Sequence, residues 1–316
     1  MDAYVQTVSD VRDGLPWRGW LLVKDSGVRA AANGKKFLDL HLVDRTGSVQ
    51  AKVWDFSGEP PPVGAVVKVE ASGNAYNGHL QLKVSRFREA RPEDAKNPAD
   101  YVPAAPDKPE TMLEEVLATA RELRDGSLRG IVLRLLEKAG AGGALLTAPA
   151  AKSMHHAELG GLLHHTTTML RAAKALCGVY RFLDKDLLYA GVIVHDLGKL
   201  SEMRSGSLGL VEEYTADGRL VGHIVRCVAD IELAAAECGA SRERATLLQH
   251  MVLSHHGDAQ FGSPVPPKCA EAEALSMIDR LDAKLFQMQA AVRGVEPGGF
   301  SPPVWGLDKV EVYRPA

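Results

Sequence analysis

Cysteine is scarce: Cys177, Cys227, Cys238 and Cys269 are the only four in 316 residues. No two form a CxxC pair, which argues against a zinc knuckle or a disulfide framework and for reduced thiols, as expected of a cytoplasmic protein. No apolar run reaches the roughly 18 residues that would suggest a membrane span. The start, Met1-Asp2-Ala3-Tyr4-Val5, lacks the basic residues and apolar core expected of a signal peptide. Strong charge is also missing. A net charge of −3 excludes a surface generally coated by nucleic acid and leaves room for a local groove. There is no internal repeat, and low complexity is confined to one proline-rich stretch. What remains is 46% hydrophobic and 24% charged, the composition of a soluble globular protein long enough for two domains.

Strand patterns fill the first part of the chain, from about Trp17 to Arg88. Leu38, Leu40 and Leu42 alternate with Asp39, His41 and Val43, and a turn follows at Asp44–Ser48. Val49, Ala51 and Val53 alternate again, Val63–Ala71 is a further apolar strand, Asn74–Gly78 a turn, and Leu80, Leu82 and Val84 close the pattern. Short strands with one apolar face, joined by Gly and Asn turns, predict a small barrel over residues 1–90. Arg91–Glu110 holds five prolines and is expected to be a semi-rigid linker. From Thr111, where Thr111-Met-Leu-Glu114 suggests a capping box, the period becomes helical, so residues 111–296 form an all-α domain. Residues 297–316, rich in Gly and Pro, are expected to be irregular and to pack on that domain through Trp305. Residues 1–90 carry 12 Lys+Arg against 10 Asp+Glu, and the remainder 25 against 30. That direction suits a nucleic-acid module followed by a carboxylate-bearing metal domain.

The helical part is organised around Val192-Ile-Val-His195-Asp196-Leu-Gly-Lys199. A dense apolar run from Leu187 predicts a buried helix, and a His and a carboxylate at its end need compensation that a metal ion would supply. Of eleven histidines, nine lie between 155 and 256. So many cannot each be a satisfied core residue. His165 to His195 is 30 residues, His195 to His223 is 28, His223 to His255 is 32, and His255 to Asp279 is 24. Each gap fits one helix and a connection, so successive helices could feed one central site. More than four such ligands exceed one tetrahedral ion, which makes two metals plausible.

His165, His195-Asp196 and Asp279 together resemble the H…HD…D pattern of the HD-domain phosphohydrolase superfamily. The phrase from Phe37 to Trp54 resembles the second and third strands of an OB-fold of the anticodon-binding type. With Gly-Gly-Leu-Leu-x-His165, Gly222-His-Ile, Leu253-Ser-His-His-Gly257 and Ile278-Asp-x-Leu-Asp-Ala283, the chain from about 15 to 290 is similar to the YhaM-type 3′→5′ exoribonucleases. One departure stands out. The position before the first ligand histidine, Glu in that family, is His164 here. Adjacent helical residues point about 100° apart, so only one of His164 and His165 can face a metal.

The resemblance implies an N-terminal all-β OB barrel, an all-α HD bundle, and hydrolysis of single-stranded RNA, with single-stranded DNA admissible, by a metal-activated hydroxide. It implies two divalent ions, Mn foremost with Fe, Co, Ni or Zn admissible. It also implies the ligand set: His165, His195, Asp196 and Asp279 as the core, with His223, His255 and His256 for a second ion. Asp196 is the natural bridge because a carboxylate can span two metals. Asp282, three residues on, is the alternative to Asp279. Lys199 is either a phosphate-facing cation or a surface lysine near a helix end. His155 and His156 are candidates for a phosphate contact or general acid, and Arg204 and Thr215 for substrate contacts. On the barrel, Lys35, Lys36, Phe37, His41, Lys52, Trp54, Tyr76 and Lys83 are the candidates for stacking bases and meeting phosphates. The competing function is an HD phosphohydrolase for a small or cyclic nucleotide, which shares the chemistry and has no need of a strand-binding groove. No Gly-Tyr-Pro follows His256, where Gly257-Asp258-Ala259 stands instead. Nothing in the sequence argues for one oligomeric state.

Overall fold

In the computed structural model the described residues are 4–31, 34–76, 79–140, 143–152, 156–206 and 208–316, with side chains 98–99 excepted. The chain divides into two compact units, Met1–Ala104 with Met288–Ala316, and Ala105–Gln287.

The first unit is a closed barrel of β1 (Pro16–Ala30), β2 (Lys36–Asp44), β3 (Gly47–Trp54), β4 (Val66–Tyr76) and β5 (His79–Glu89), ordered β1-β2-β3-β5-β4. All pairings are antiparallel except β3 with β5. This is the expected OB-like barrel. Alternation produces it: Leu21, Val23, Leu38, Leu40, Leu42, Val49, Ala51, Val67, Val69 and Leu82 point inward and fill the interior. Irregularities at Val23/Asp25 and Glu70/Ala71 bend the two long strands enough to close it. Asp44 fixes the β2–β3 turn, since its Oδ1 accepts from the Thr46 amide at 2.7 Å and the Thr46 hydroxyl at 2.6 Å. β4 runs on to Tyr76, past the turn expected at Asn74, because Asn74–Tyr76 find partners in Gln81–His79. In the C-terminal tail, Phe300 bridges Tyr313 and Val304 bridges Val310. Trp305 does not pack inward as expected. It is 76% exposed, and the Lys309 ammonium sits 4.7 Å from its ring.

The second unit carries α1 (Pro109–Glu122), α2 (Gly126–Gly140), α3 (Ala144–Thr147), α4 (Gly161–Val179), α5 (Lys185–Val194), α6 (Lys199–Glu202), α7 (Ala216–Leu220), α8 (Gly222–Cys238), α9 (Arg242–Ser254) and most of α10 (Ala270–Ala291). A hairpin, β6 (Met203–Ser205) and β7 (Val211–Tyr214), is a small exception to the expected all-α composition. α1 starts at Pro109, two residues before the Thr111 capping signal. A proline fits the first turn because its missing amide would have no partner there. α5 is the central helix: Leu187, Leu188 and Ala190–Val194 are buried, and it packs against α2, α4 and α9. Its N-terminus is capped by Asp184, which accepts from the Leu187 amide at 3.1 Å. Among the described residues no helix is long and apolar enough to cross a membrane.

Candidate metal centre

The end of α5 places His195 and Asp196 inside the second unit, both almost fully buried. The His195 Nδ1 donates to the Val192 carbonyl at 2.8 Å. A carbonyl only accepts, so the hydrogen sits on Nδ1 and the Nε2 lone pair points inward. The same device recurs at the end of α9, where His255 Nδ1 donates to the Val252 carbonyl at 2.7 Å. His256 Nδ1 donates to the Phe261 carbonyl at 2.8 Å. His223, at the start of α8, is held through Nδ1 by Glu202 at 3.1 Å, and His165 on α4 through Nδ1 by Asp282 at 2.7 Å. Among the described residues, five histidines thus have Nδ1 anchored and Nε2 turned into the centre, as in metal sites whose ligands are oriented from behind.

The inward-facing atoms form two sets. The first is His165, His195 and Asp279, the second His223, His255 and His256, and within each the ligand atoms lie within 4.8 Å of one another. His165 Nε2 is 3.2 Å from Asp279 Oδ1 and 3.3 Å from His195 Nε2. Asp196 stands between the sets. Its Oδ2 is 3.3 Å from His195 Nε2 and 3.7 Å from His165 Nε2. Its Oδ1 is 3.6 Å from His223 Nε2 and 3.8 Å from His255 Nε2. Asp196 Oδ1, His223 Nε2 and His255 Nε2 are buried and have no hydrogen-bond partner. Leaving three such atoms unsatisfied is costly, and a divalent cation is the group that would satisfy lone pairs of all three at once. The donor set therefore fits metal ions.

Charge in the centre follows from the same geometry. Burial and the neighbouring His256 and His195 hold His255 well below the usual imidazole range, so it is neutral, as a ligand must be. Burial also acts to lower His165, but Asp279 and Asp282 outweigh it and push that ring up to about 9. Lys199 Nζ lies 2.7 Å from Asp196 Oδ2 and is only 11% exposed. Burial acts to lower its pKa, and Asp196 and the nearby acids more than reverse this, so it stays charged. It is not the surface lysine of the alternative reading, and it begins α6 rather than ending a helix.

The structure separates the open pairs. His165 faces the centre, whereas His164 Nδ1 turns to Glu158 at 2.7 Å. Asp279 meets His165 on its inner nitrogen and Asp282 on its outer one. His156 does not stand where it could meet substrate: it is 1% exposed and bound through Nε2 to Asp282 at 2.8 Å, behind His165. His155 lies outside the described residues. Thr215 is used as the cap of α7, accepting from Gly218, and donates to the Ser201 carbonyl at 2.7 Å. Arg204 pairs with Glu213 across the hairpin at 2.9 Å, both half-exposed or more. Glu202, Glu158 and the orienting role of Asp282 have no signature in the sequence, since each is recruited by contact across the fold.

A close approach holds the second set in place. A Cβ on Gly198 would lie 2.2 Å from the His223 carbonyl oxygen. Gly198→Ala is therefore expected to push the start of α8 away from Asp196. Bound divalent metal, measured by mass spectrometry of dialysed protein, should fall, with activity down about 10²-fold, the cost of roughly 1 Å of misplacement. Unchanged metal content would remove the close approach as a determinant of His223.

On the barrel, the outer faces of β2 and β3 bring Phe37 and Trp54 together, with ring centroids 5.1 Å apart. Lys52 Nζ lies 5.3 Å from the Phe37 ring and 5.7 Å from the Tyr76 ring. Lys83 is the register partner of Lys52 on β5. Trp54, Tyr76, Lys52 and Lys83 make an aromatic and basic face; Phe37, expected to stack bases, is only 8% exposed because Trp54 and Lys52 pack over it. His41 sits on the same strand face opposite Gln50, half-buried, with burial and Lys24 holding it below the usual imidazole range. Lys35 and Lys36 lie at the start of β2, outside that cluster, and Lys35 pairs with Asp55 at 3.1 Å.

Comparison with known proteins gives a consistent result. The HD domain family model matches residues 162–284. The 3'-5' exoribonuclease YhaM of Geobacillus sp. (strain WCH70) is 42% identical over 299 residues, covering 94% of this chain and 91% of that protein. The 3'-5' exoribonuclease YhaM of Halalkalibacterium halodurans is 40% identical over 299 residues, covering 94% and 92%. A solved domain of replication protein A from Methanococcus maripaludis aligns with 27% of the chain and 94% of its own at 19% identity, with a TM-score of 0.23, too low to bear on the fold.

Proposed function

We infer the reaction from one premise: this chain belongs to the family of the 3'-5' exoribonuclease YhaM. It is a metal-dependent phosphodiesterase that shortens single-stranded RNA from the 3′ end. The observation that carries this is the buried Asp196 carboxylate, whose two oxygens face two separate histidine sets. His165, His195 and Asp279 would hold one divalent ion and His223, His255 and His256 a second, with Asp196 placed between the two sets. Mn²⁺ is the proposed metal, and single-stranded DNA a secondary substrate. Bound there, the two ions polarise the scissile phosphate and lower the pKa of water.

The chain's own residues do the rest. Five Nδ1 anchors keep the ligand nitrogens aimed inward without reorganisation, which is the condition for strong electrostatic stabilisation. Lys199 keeps Asp196 ionised and adds positive charge beside the place where phosphate charge develops. Trp54 and Tyr76 stack bases while Lys52 and Lys83 meet phosphates, so a held strand presents its 3′ end at raised local concentration. The double change Trp54→Ala/Tyr76→Ala should weaken binding of single-stranded RNA at least tenfold by fluorescence anisotropy, at about 1–3 kcal/mol per stacked base. Its hydrolysis of a small model phosphodiester should be unaffected, and equal loss on both substrates would remove the barrel from substrate capture.

The reaction itself is tested with 5′-labelled single-stranded RNA and Mn²⁺ on a denaturing gel. A ladder that shortens from the 3′ end and disappears with EDTA is expected. Intact RNA from protein that hydrolyses cyclic or small nucleotides would replace the exonuclease reading with the small-nucleotide one.

A further inference from the structure

We propose that His156, His164 and Glu158 form a third divalent-cation site, distinct from the two sets around Asp196. The three ligand atoms, two Nδ1 and one carboxylate Oε1, lie within 4.8 Å of one another. The Nδ1 atoms are 3.1 Å apart, His164 Nδ1 is 2.7 Å from Glu158 Oε1, and His156 Nδ1 is 3.6 Å from it. Donors about 2.0–2.1 Å from a tetrahedral zinc stand roughly 3.3 Å apart, a value these separations bracket. Two imidazoles and one glutamate are also a recurring zinc donor set that leaves a fourth position for water or a ligand.

A second observation comes from behind the ligands. His156 Nε2 is bound by the Asp282 carboxylate at 2.8 Å, the arrangement that fixes a metal-ligating ring from its far nitrogen. With Nε2 held there, Nδ1 of the same ring faces His164 and Glu158. The backbone adds a third. His156 has φ of 47°, a left-handed conformation uncommon outside glycine, and such strain persists where the surroundings impose it. Its carbonyl accepts from the Ala150 amide at 3.0 Å and lies 1.9 Å from where a Cβ on Gly161 would be, so only glycine at the start of α4 permits this approach. Phe286 covers the other side of the His156 ring at 4.1 Å. The His164 side chain, 20% exposed, offers a way in for the ion.

The site takes a borderline cation such as Zn²⁺ and ties the segment before α4 to α4 itself. It shares only Asp282 with the nuclease centre, behind His165, and no step of hydrolysis requires it. The test is a crystal soaked in Zn²⁺, with anomalous differences collected at the zinc edge. We expect a peak within bonding distance of His156 Nδ1, His164 Nδ1 and Glu158 Oε1, in addition to peaks beside Asp196. In solution, bound zinc should fall from three ions per chain to two in Glu158→Gln. Peaks beside Asp196 with none at Glu158 in saturating Zn²⁺ would overturn the third site and leave the nuclease reading intact. A peak at Glu158 with none beside Asp196 would support the third site and overturn the binuclear reading. The soak uses the unmodified protein, so the outcome does not depend on whether a variant folds.

Discussion

Asp196→Asn is expected to lower RNA hydrolysis at least ~10³-fold, well beyond the 10–100-fold typical of losing a residue that merely orients a ligand. The amide keeps the shape of the carboxylate and removes its charge. Both of its oxygens matter, since one faces His195 and His165 and the other faces His223 and His255. An amide nitrogen in either position presents hydrogens where the geometry requires a lone pair. Asn is preferred to Ala because Lys199, buried and 2.7 Å away, would otherwise be left with no polar neighbour at that point. Asp282→Asn and Glu202→Gln provide the contrast. Within the centre each acts through the outer nitrogen of a single histidine, His165 for Asp282 and His223 for Glu202, so each should cost 10–100-fold. Affinity of all three variants for an uncleavable strand should match wild type in an anisotropy titration, because the stacking face is on the barrel. Comparable turnover by Asp196→Asn and wild type would remove Asp196 from the centre of the mechanism.

Chelation should destabilise the protein as well as stop it. In the metal-free protein Asp196 Oδ1, His223 Nε2 and His255 Nε2 are buried without a hydrogen-bond partner, and burial works against charge on His255. Any ion that binds only the folded chain stabilises it by mass action, about 2.7 kcal/mol at a hundred times its Kd. For a unit of this size that is roughly 5–10 °C in Tm. Calorimetry of EDTA-dialysed protein, then of the same sample titrated with Mn²⁺, should show that rise, and Asp196→Asn should show much less of it. A Tm indifferent to metal in the wild type would mean the histidine sets do not bind Mn²⁺.

The barrel was legible because a half-buried strand repeats every two residues, so Leu38, Leu40 and Leu42 declare their face without tertiary information. The ligand histidines were legible through their spacing, about one helix apart, and through the carboxylate beside His195. Their orientation was not. Whether His164 or His165 turns inward depends on where α4 begins, and whether Asp279 or Asp282 ligates depends on which nitrogen of His165 each one meets. Glu202 and Glu158 come from segments with no periodic relation to the histidines they hold. The hairpin β6–β7 is short and its outer residues, Arg204, Glu212 and Glu213, are exposed, so it leaves no apolar alternation to detect. Pro109, counted with the linker by composition, belongs to a helix because the first turn tolerates it.

His195 and His255 share one device, a ring nitrogen donated to the carbonyl three residues earlier at the end of their own helix. Each ligand is therefore aimed by its own segment rather than by a distant neighbour. The consequence is an uneven tolerance to insertion and deletion. Residues could be added at Tyr180–Phe182, the exposed turn between α4 and α5, without turning any of the ligands. One residue added between Val192 and His195 would rotate the ring about 100° around the helix and separate it from its carbonyl. Drift in chain length is expected to collect in that exposed turn and to be nearly absent from the last turn of α5 and of α9.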